Sequence, residues 1–311
     1  MSGVLTIGEA MVSVRTPVPL ELGGAARLSV AGSESNVAIG LARLGHGVAW
    51  LGVVGEDQPG RLIRRTLRAE GVDTRFIRST AESFTGLVAF DQPVHDITRV
   101  SYHRRGSAGS LLTAEECLAA LEDASPSLLH LTGITPALSP AAGAATLAAA
   151  TAAHARGVRV SLDVNHRSRL WTRRQAAGAL RPLLPSADIV FASSDELDIL
   201  TDAPDPVSDL LAHGVAEVVV TAGAAGAYCR TADAEHHQDA LPVTVVDSVG
   251  AGDAFVAGYL SASLNDLPPR ERLRRGATTG AFCVGTRGDW EGLPTRQDLG
   301  LLTRTSGTAL R

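Results

Sequence analysis

The chain has 311 residues, 45% of them hydrophobic and only 4% aromatic, with a formal charge of −5. That composition supports a large core packed by aliphatic side chains, alanine and close backbone approach, and the acidic balance argues against nucleic acid or an anionic membrane as partner. All 28 basic side chains are arginine; without lysine there is no Schiff-base chemistry, no Walker A loop and no protein-kinase lysine, so a phosphate must be held by backbone N–H groups, arginine or a metal.

Taken in chain order, VLTIG (4–8) reads as a buried strand. No basic segment followed by an apolar core precedes it, and no apolar run is long enough to span a membrane, so a cytoplasmic protein is expected. Cys117, Cys229 and Cys283 are sparse and unpaired in spacing, as reduced thiols would be. Residues 10–30 look strand-rich. In AGSESNVAIGLARLG (31–45), Asn36 opens an apolar helix after Gly32. Asn36 is either its N-cap or, with Gly32, a contact for the hydroxyls of a polyol. A strand at 48–54 follows, then a helix whose Arg61, Arg64, Arg65 and Arg68 fall on one solvated face.

Residues 75–106 form a second strand-rich excursion. With 10–30 they make either a small antiparallel lid or edge strands of the main sheet. Strands are then expected at 128–133, 158–164, 188–192, 217–223 and 241–246, with a helix at 140–156. His236 and His237 are adjacent in a polar loop, which does not suit a shared metal. The alternation of β and α predicts an α/β fold with a doubly wound, mostly parallel sheet and helices on both faces, in one domain spanning 1–311.

The stretch VDSVGAGDAF (246–255) carries the chemistry. A strand-like run leads into a glycine loop, and an apolar helix follows. The N–H groups of Gly250, Ala251 and Gly252 can surround a phosphoryl group. Asp253 then has two readings. It is a plain first-turn carboxylate interacting with the helix dipole, or it is a base that takes a proton from an attacking hydroxyl.

GSESNVAIGLARLG, GVVGEDQPG and DSVGAGDAF together resemble the two signatures of the ribokinase-like (PfkB) carbohydrate kinases, placed near the two ends of the chain as in that family. The resemblance implies an αβα sandwich with a small β-sheet lid. YHRRGSAGS (102–110), HLTGITPALSP (130–140) and SLDVNHRSRLW (161–171) are similar to the subgroup acting on 2-keto-3-deoxygluconate.

The resemblance further implies ATP and Mg²⁺, a small sugar acid as substrate, and Asp253 as the base. Gly32, Asn36, Tyr102, Arg104, Arg167 and Asp289 are expected around the sugar. Arg104 and Arg167 suit a substrate carboxylate, because guanidinium meets it in a two-pronged fork, although for either taken singly a structural ion pair is the alternative. Ser193, Thr221, Gly223 and Gly226 are expected near the nucleotide, and Glu196 and Asp247 near the metal. Two positions depart from the pattern: Val88 stands where close relatives tend to carry tyrosine, and Ser193 where the family carries asparagine. Lid edge strands that pair between chains would give a homo-oligomer. The competing expectation within the family is a kinase of a neutral sugar or polyol.

Overall fold

The computed structural model describes residues 3–303 apart from 95 and 96. In chain order the elements are β1 (Val4–Ile7), β2 (Met11–Arg15), β3 (Arg27–Ala31), α1 (Ser33–Arg43), β4 (Val48–Gly55), α2 (Gln58–Ala69), β5 (Ile77–Thr80), β6 (Leu87–Val94), β7 (Ile97–His103), α3 (Ala114–Ala124) and β8 (Leu128–Thr132). There follow α4 (Pro140–Ala155), β9 (Arg159–Asp163), α5 (Arg173–Leu180), β10 (Ile189–Ser193), α6 (Leu197–Leu200), α7 (Pro206–Ala212), β11 (Glu217–Thr221), β12 (Ala227–Arg230), β13 (Glu235–Gln238), α8 (Ala251–Leu264) and α9 (Pro269–Val284).

The large sheet runs β13-β12-β11-β10-β9-β8-β1-β4-β5, parallel from β11 through β5 and antiparallel at the β11–β12 and β12–β13 pairs. Its central strands are buried on both faces, which is why they read as unbroken apolar runs. Two cores result, one on each face of the sheet: one gathers α3, α4 and α5, the other α1, α2, α8 and α9. Because the strands are parallel, Thr132, Asp163, Ser193 and Thr221 all end on one edge, and Thr132 pairs with Asp163 and Ser193 with Thr221 in register. Ligands bind at that edge in open α/β sheets.

The second sheet has the order β3-β2-β6-β7. The expected antiparallel lid is in fact mixed, since β2 and β6 run parallel. Residues 77–80, placed with the lid from sequence, form β5 at the margin of the large sheet. The strand expected at 241–246 is irregular backbone. Pro242 removes a donor, Val245 and Val246 are exposed, and the N–H groups of Val246 and Asp247 turn to the Val284 carbonyl. His236 and His237 lie in β13 rather than in a loop.

Small residues let the helices approach closely. A Cβ on Gly40 of α1 would lie 2.6 Å from the Cβ of Ala257 in α8. One on Gly258 would lie 2.2 Å from Thr279 Oγ1 and 2.7 Å from the Arg275 carbonyl oxygen in α9. Gly258→Ala gains roughly 1 kcal/mol in helix propensity but overpacks the α8–α9 contact by about 1–3 kcal/mol. We expect a net fall of a few degrees in Tm by thermal unfolding; an unchanged or higher Tm would show that the two helices separate without penalty.

Candidate active site

Two helix starts converge on the carboxyl edge of the sheet. Helix α8 begins after Gly250, whose φ of 78° is left-handed; a Cβ there would lie 2.0 Å from the Asp289 carbonyl oxygen. Only glycine meets both demands. Gly252 faces open space, with nothing within 4 Å of a built Cβ. The N–H of Ala251 turns back to Ser248 O at 3.3 Å, while those of Gly252 and Asp253 precede any carbonyl of their own helix. The N–H groups left for an anion are therefore those of Gly252 and Asp253 more than that of Ala251.

Helix α1 begins after Gly32, whose φ is 155°; a Cβ there would lie 2.4 Å from the Glu9 carbonyl oxygen. Gly32, not Asn36, is the N-cap. Asn36 lies one turn in, buried, and its Nδ2 donates to Asp253 Oδ2 at 2.7 Å. Ser33 Oγ donates to Asp253 Oδ1 at 2.6 Å. The carboxylate is thus fixed by two donors from one turn of α1. Sequence reasoning missed Ser33, the first residue of α1 directly after Gly32.

Asp253, Gly250, Gly32 and Asn36 line a small cavity of about 70 Å³ with Glu9, Val88 and Asp289. Tyr102, Arg104 and Arg167 border it and also an adjoining cleft of about 410 Å³, which holds Arg105 and Arg169 as well. The structure thus brings all six expected sugar contacts together. Their states differ. Arg104 is buried and ion-paired with Glu9, which also accepts from Ser107 Oγ at 2.5 Å. Of the two readings open for it from sequence, substrate contact and a structural ion pair, the structure shows the ion pair. Arg167 is exposed, and its side chain makes no hydrogen bond among the described residues. Val88 sits opposite Tyr102 in register, so the missing tyrosine leaves the wall apolar.

Asp289 is held by Arg15, whose two terminal nitrogens reach Asp289 Oδ1 and Asp247 Oδ2, each at 2.8 Å. Burial raises the Asp289 pKa to about 7 against the pull of Arg15, and its Oδ2 has no partner. Asp247 also accepts from the N–H groups of Val249 and Gly288. In the structure its partners are loop N–H groups and Arg15.

Among the residues expected near metal and nucleotide, Glu196 accepts from the N–H of His166 at 2.6 Å and of Ser193 at 2.9 Å. The Ser193 hydroxyl donates to Asp195 at 2.7 Å and caps no helix N–H. Thr221, Gly223 and Gly226 form the β11–β12 turn, where φ at Gly226 is 92° and a Cβ would lie 2.1 Å from the Gln238 carbonyl oxygen. None of Ser193, Thr221, Gly223 and Gly226 lines the two clefts just described. Asp163, a residue the sequence reading did not single out, is pushed well up by burial and by the neighbouring charges of Glu196 and Asp253, against Arg167. No cluster of three metal-ligating side chains occurs among the described residues. The Asp163–Glu196 pair nevertheless fits a hydrated Mg²⁺ held mainly by phosphate, because a cation would relieve their repulsion.

Glu34, in the same turn as Ser33, is fully buried. Its Oε1 accepts from Thr132 Oγ1 at 2.6 Å and Thr135 Oγ1 at 2.7 Å, tying α1 to the end of β8. Burial raises its pKa from 4.5 to about 7. A carboxyl that holds its proton more tightly when folded costs stability as pH rises from the unfolded value through the folded one. Glu34→Gln should therefore lessen the decline in unfolding free energy between pH 5 and pH 8, by on the order of 1–3 kcal/mol at the upper end. Denaturant titrations across that range check it; parallel curves for both proteins would mean that Glu34 is ionised at neutral pH.

The pattern of the pfkB family carbohydrate kinases matches residues 1–296. The chain is 37% identical over 306 residues to a 2-dehydro-3-deoxygluconokinase of Bacillus subtilis (strain 168), covering 95% of this chain and 93% of that one. It is 33% identical over 307 residues to a 2-dehydro-3-deoxygluconokinase of Thermoproteus tenax, covering 96% and 93%. A structure from E. coli, solved as a ribokinase II in complex with ATP and Mg²⁺, superposes with a TM-score of 0.89 at 25% identity, over 97% of this chain and 99% of that one. With the glycine loop, the buried aspartate and the two-sheet architecture in place, the chain belongs to the pfkB family of carbohydrate kinases.

Proposed function

We propose that this protein transfers the γ-phosphoryl group of ATP to the terminal (C6) hydroxyl of 2-keto-3-deoxygluconate. The observation that carries the reading is the pairing of Asp253, buried at the start of α8, with an exposed Arg167 that borders the same cavity and has no hydrogen-bond partner of its own among the described residues. The names of the two relatives support the same substrate class.

The acid end of the sugar meets Arg167 in the larger cleft, and Tyr102 closes over the chain. The far hydroxyl then reaches the small cavity, where Gly32 permits close approach and Asp253 waits with Asp289 Oδ2 nearby as a hydrogen-bond acceptor. Asp253 takes the hydroxyl proton while the oxygen forms its bond to the γ-phosphorus and the bond to the β,γ-bridging oxygen breaks. ADP carries away the released charge. The N–H groups at the start of α8 hold the transferring oxygens, where charge stabilisation is the main contribution. Glu196 and Asp163 would hold a Mg²⁺ ion, which when bound would supply positive charge to neutralise the triphosphate. The mixed sheet of β2, β3, β6 and β7 covers the sugar and keeps water from competing as acceptor. A carboxylate is tolerated beside an anion cradle because the substrate hydroxyl lies between them.

Coupled ADP release with Mg-ATP should show fast turnover on 2-keto-3-deoxygluconate or its galacto epimer and slow turnover on fructose, ribose and adenosine. A neutral sugar as the best substrate would overturn the acid assignment. Asp253→Asn should lower kcat roughly 10²–10⁴-fold, the usual span for a general base, with ATP affinity little changed. Turnover near that of the unmodified enzyme would remove Asp253 from the role. Arg167→Ala should raise KM for the keto acid far more than KM for ATP; equal effects on both would show that Arg167 does not hold the acid.

A further inference from the structure

Asp253 is gripped by more than the family signature explains. Asn165 lies just past β9 with φ of 38°, a left-handed conformation that asparagine adopts more readily than most residues. That turn aims its amide across the sheet edge. Asn165 Nδ2 donates to Ser33 Oγ at 2.8 Å and to Asp163 Oδ2 at 3.3 Å. Ser33 Oγ, with its single proton, donates to Asp253 Oδ1 at 2.6 Å. All three links are directional: the amide can only donate to the hydroxyl, so the hydroxyl proton must go to the carboxylate. Asn165, Ser33 and Asp253 are buried at 8%, 5% and 7% exposure, so water competes little for these bonds.

We infer that Ser33 is a positioning residue for phosphoryl transfer, and that Asn165 acts through it. The chain from β9 through α1 to α8 fixes the rotation of the Asp253 carboxylate about its last bond. Asn36 Nδ2 fixes Oδ2, and Ser33 fixes Oδ1. Each oxygen keeps a second lone pair, and with both oxygens pinned these point in set directions. One is then presented to the substrate hydroxyl. Ser33 needs no contact with sugar or nucleotide for this. Without it, the carboxylate can swing toward the unpaired N–H groups at the start of its own helix, which attract it through the helix dipole. Asn165 matters because an undirected Ser33 hydroxyl could rotate away.

The inference rests on Asp253 being the base, so the test separates the two. Ser33→Ala should lower kcat roughly 10- to 100-fold, the span of a lost hydrogen bond to a charged group. KM for ATP and for the accepted sugar should stay within about 3-fold: Ser33 borders the small cavity, but its hydroxyl is taken by Asn165 and Asp253. Asn165→Ala should give a smaller loss in the unmodified protein and no further loss in the Ser33→Ala background, because residues acting in one chain are not additive. In an Asp253→Asn background, Ser33→Ala should change kcat by less than about 2-fold. Additive losses in the double variants, or a Ser33→Ala protein with unchanged kcat, would overturn the inference even if Asp253→Asn is inactive. Should Ser33→Ala fold poorly, Ser33→Thr keeps the hydroxyl. It should retain most of the kcat, and a loss equal to that of alanine would count against the hydroxyl's role. Retained turnover in Asp253→Asn would instead remove the proposed base, and the positioning role with it.

Discussion

The close crossing of α1 and α8 is the constraint on which the site depends. As the proposed base, Asp253 has to be both buried and aimed, and these demands conflict. Burial strips a carboxylate of water, and Asp163 and Glu34 lie close enough to sense the charge of Asp253. The conflict is met by donors: Ser33 and Asn36 from α1, with the start of the aspartate's own helix behind it. Those donors arrive only because Gly40 lets α1 rest against Ala257. A bulkier pair at that crossing would move the first turn of α1 away from Asp253, and the bonds at 2.6 and 2.7 Å would be lost first.

The second sheet is coupled to the same place by charge. Arg15, at the end of β2, stacks over Phe90 at 4.0 Å and reaches both Asp247 and Asp289. Glu9 and Arg104 make a second buried pair between the β1–β2 connection and the segment after β7. Buried ion pairs are weak evidence for stability, since desolvation offsets much of their attraction, but removing one partner is costly. Here they fix geometry. The small sheet is anchored at its root, so the edge of β7 that carries Tyr102 stands at a set height over the cavity.

Much of this was legible in the sequence because it rests on local rules. Parallel strands buried on both faces read as apolar runs, and the glycine loops gave away both helix starts. The failures share a cause: long-range pairing overrides local pattern. The run at 241–246 has the β-branched residues of a strand but no neighbour to pair with, and it hangs from the end of α9 instead. Asn36 looks like an N-cap because the residue type suits one, yet its amide is drawn inward by an aspartate 217 positions away. Arg104 looks like a free anchor until Glu9 is seen beside it. Ser33, Asn165 and Arg15 were invisible for the same reason. Their roles are relations between distant segments, and neither spacing nor composition encodes such a relation.

The absence of lysine from the sequence ties these observations together. Every cation at the site is a guanidinium, which keeps its charge across the whole physiological range and binds in a fixed plane. Asp289 therefore faces a constant positive partner in Arg15, whereas Glu34 is met by threonine hydroxyls, and burial raises both carboxyls to about 7. His130, buried beneath the same sheet edge, is pushed down to about 3 and stays neutral. A substrate anion entering the larger cleft thus meets a field set by arginines that cannot adjust by losing a proton. Arg104 is ion-paired with Glu9, and Arg15 with Asp247 and Asp289, so among these the guanidinium that borders both cavities without a hydrogen-bonded partner is Arg167, with Asp163 the acid within its electrostatic reach. A neutral sugar would leave that charge unanswered, whereas a carboxylate would complete the balance.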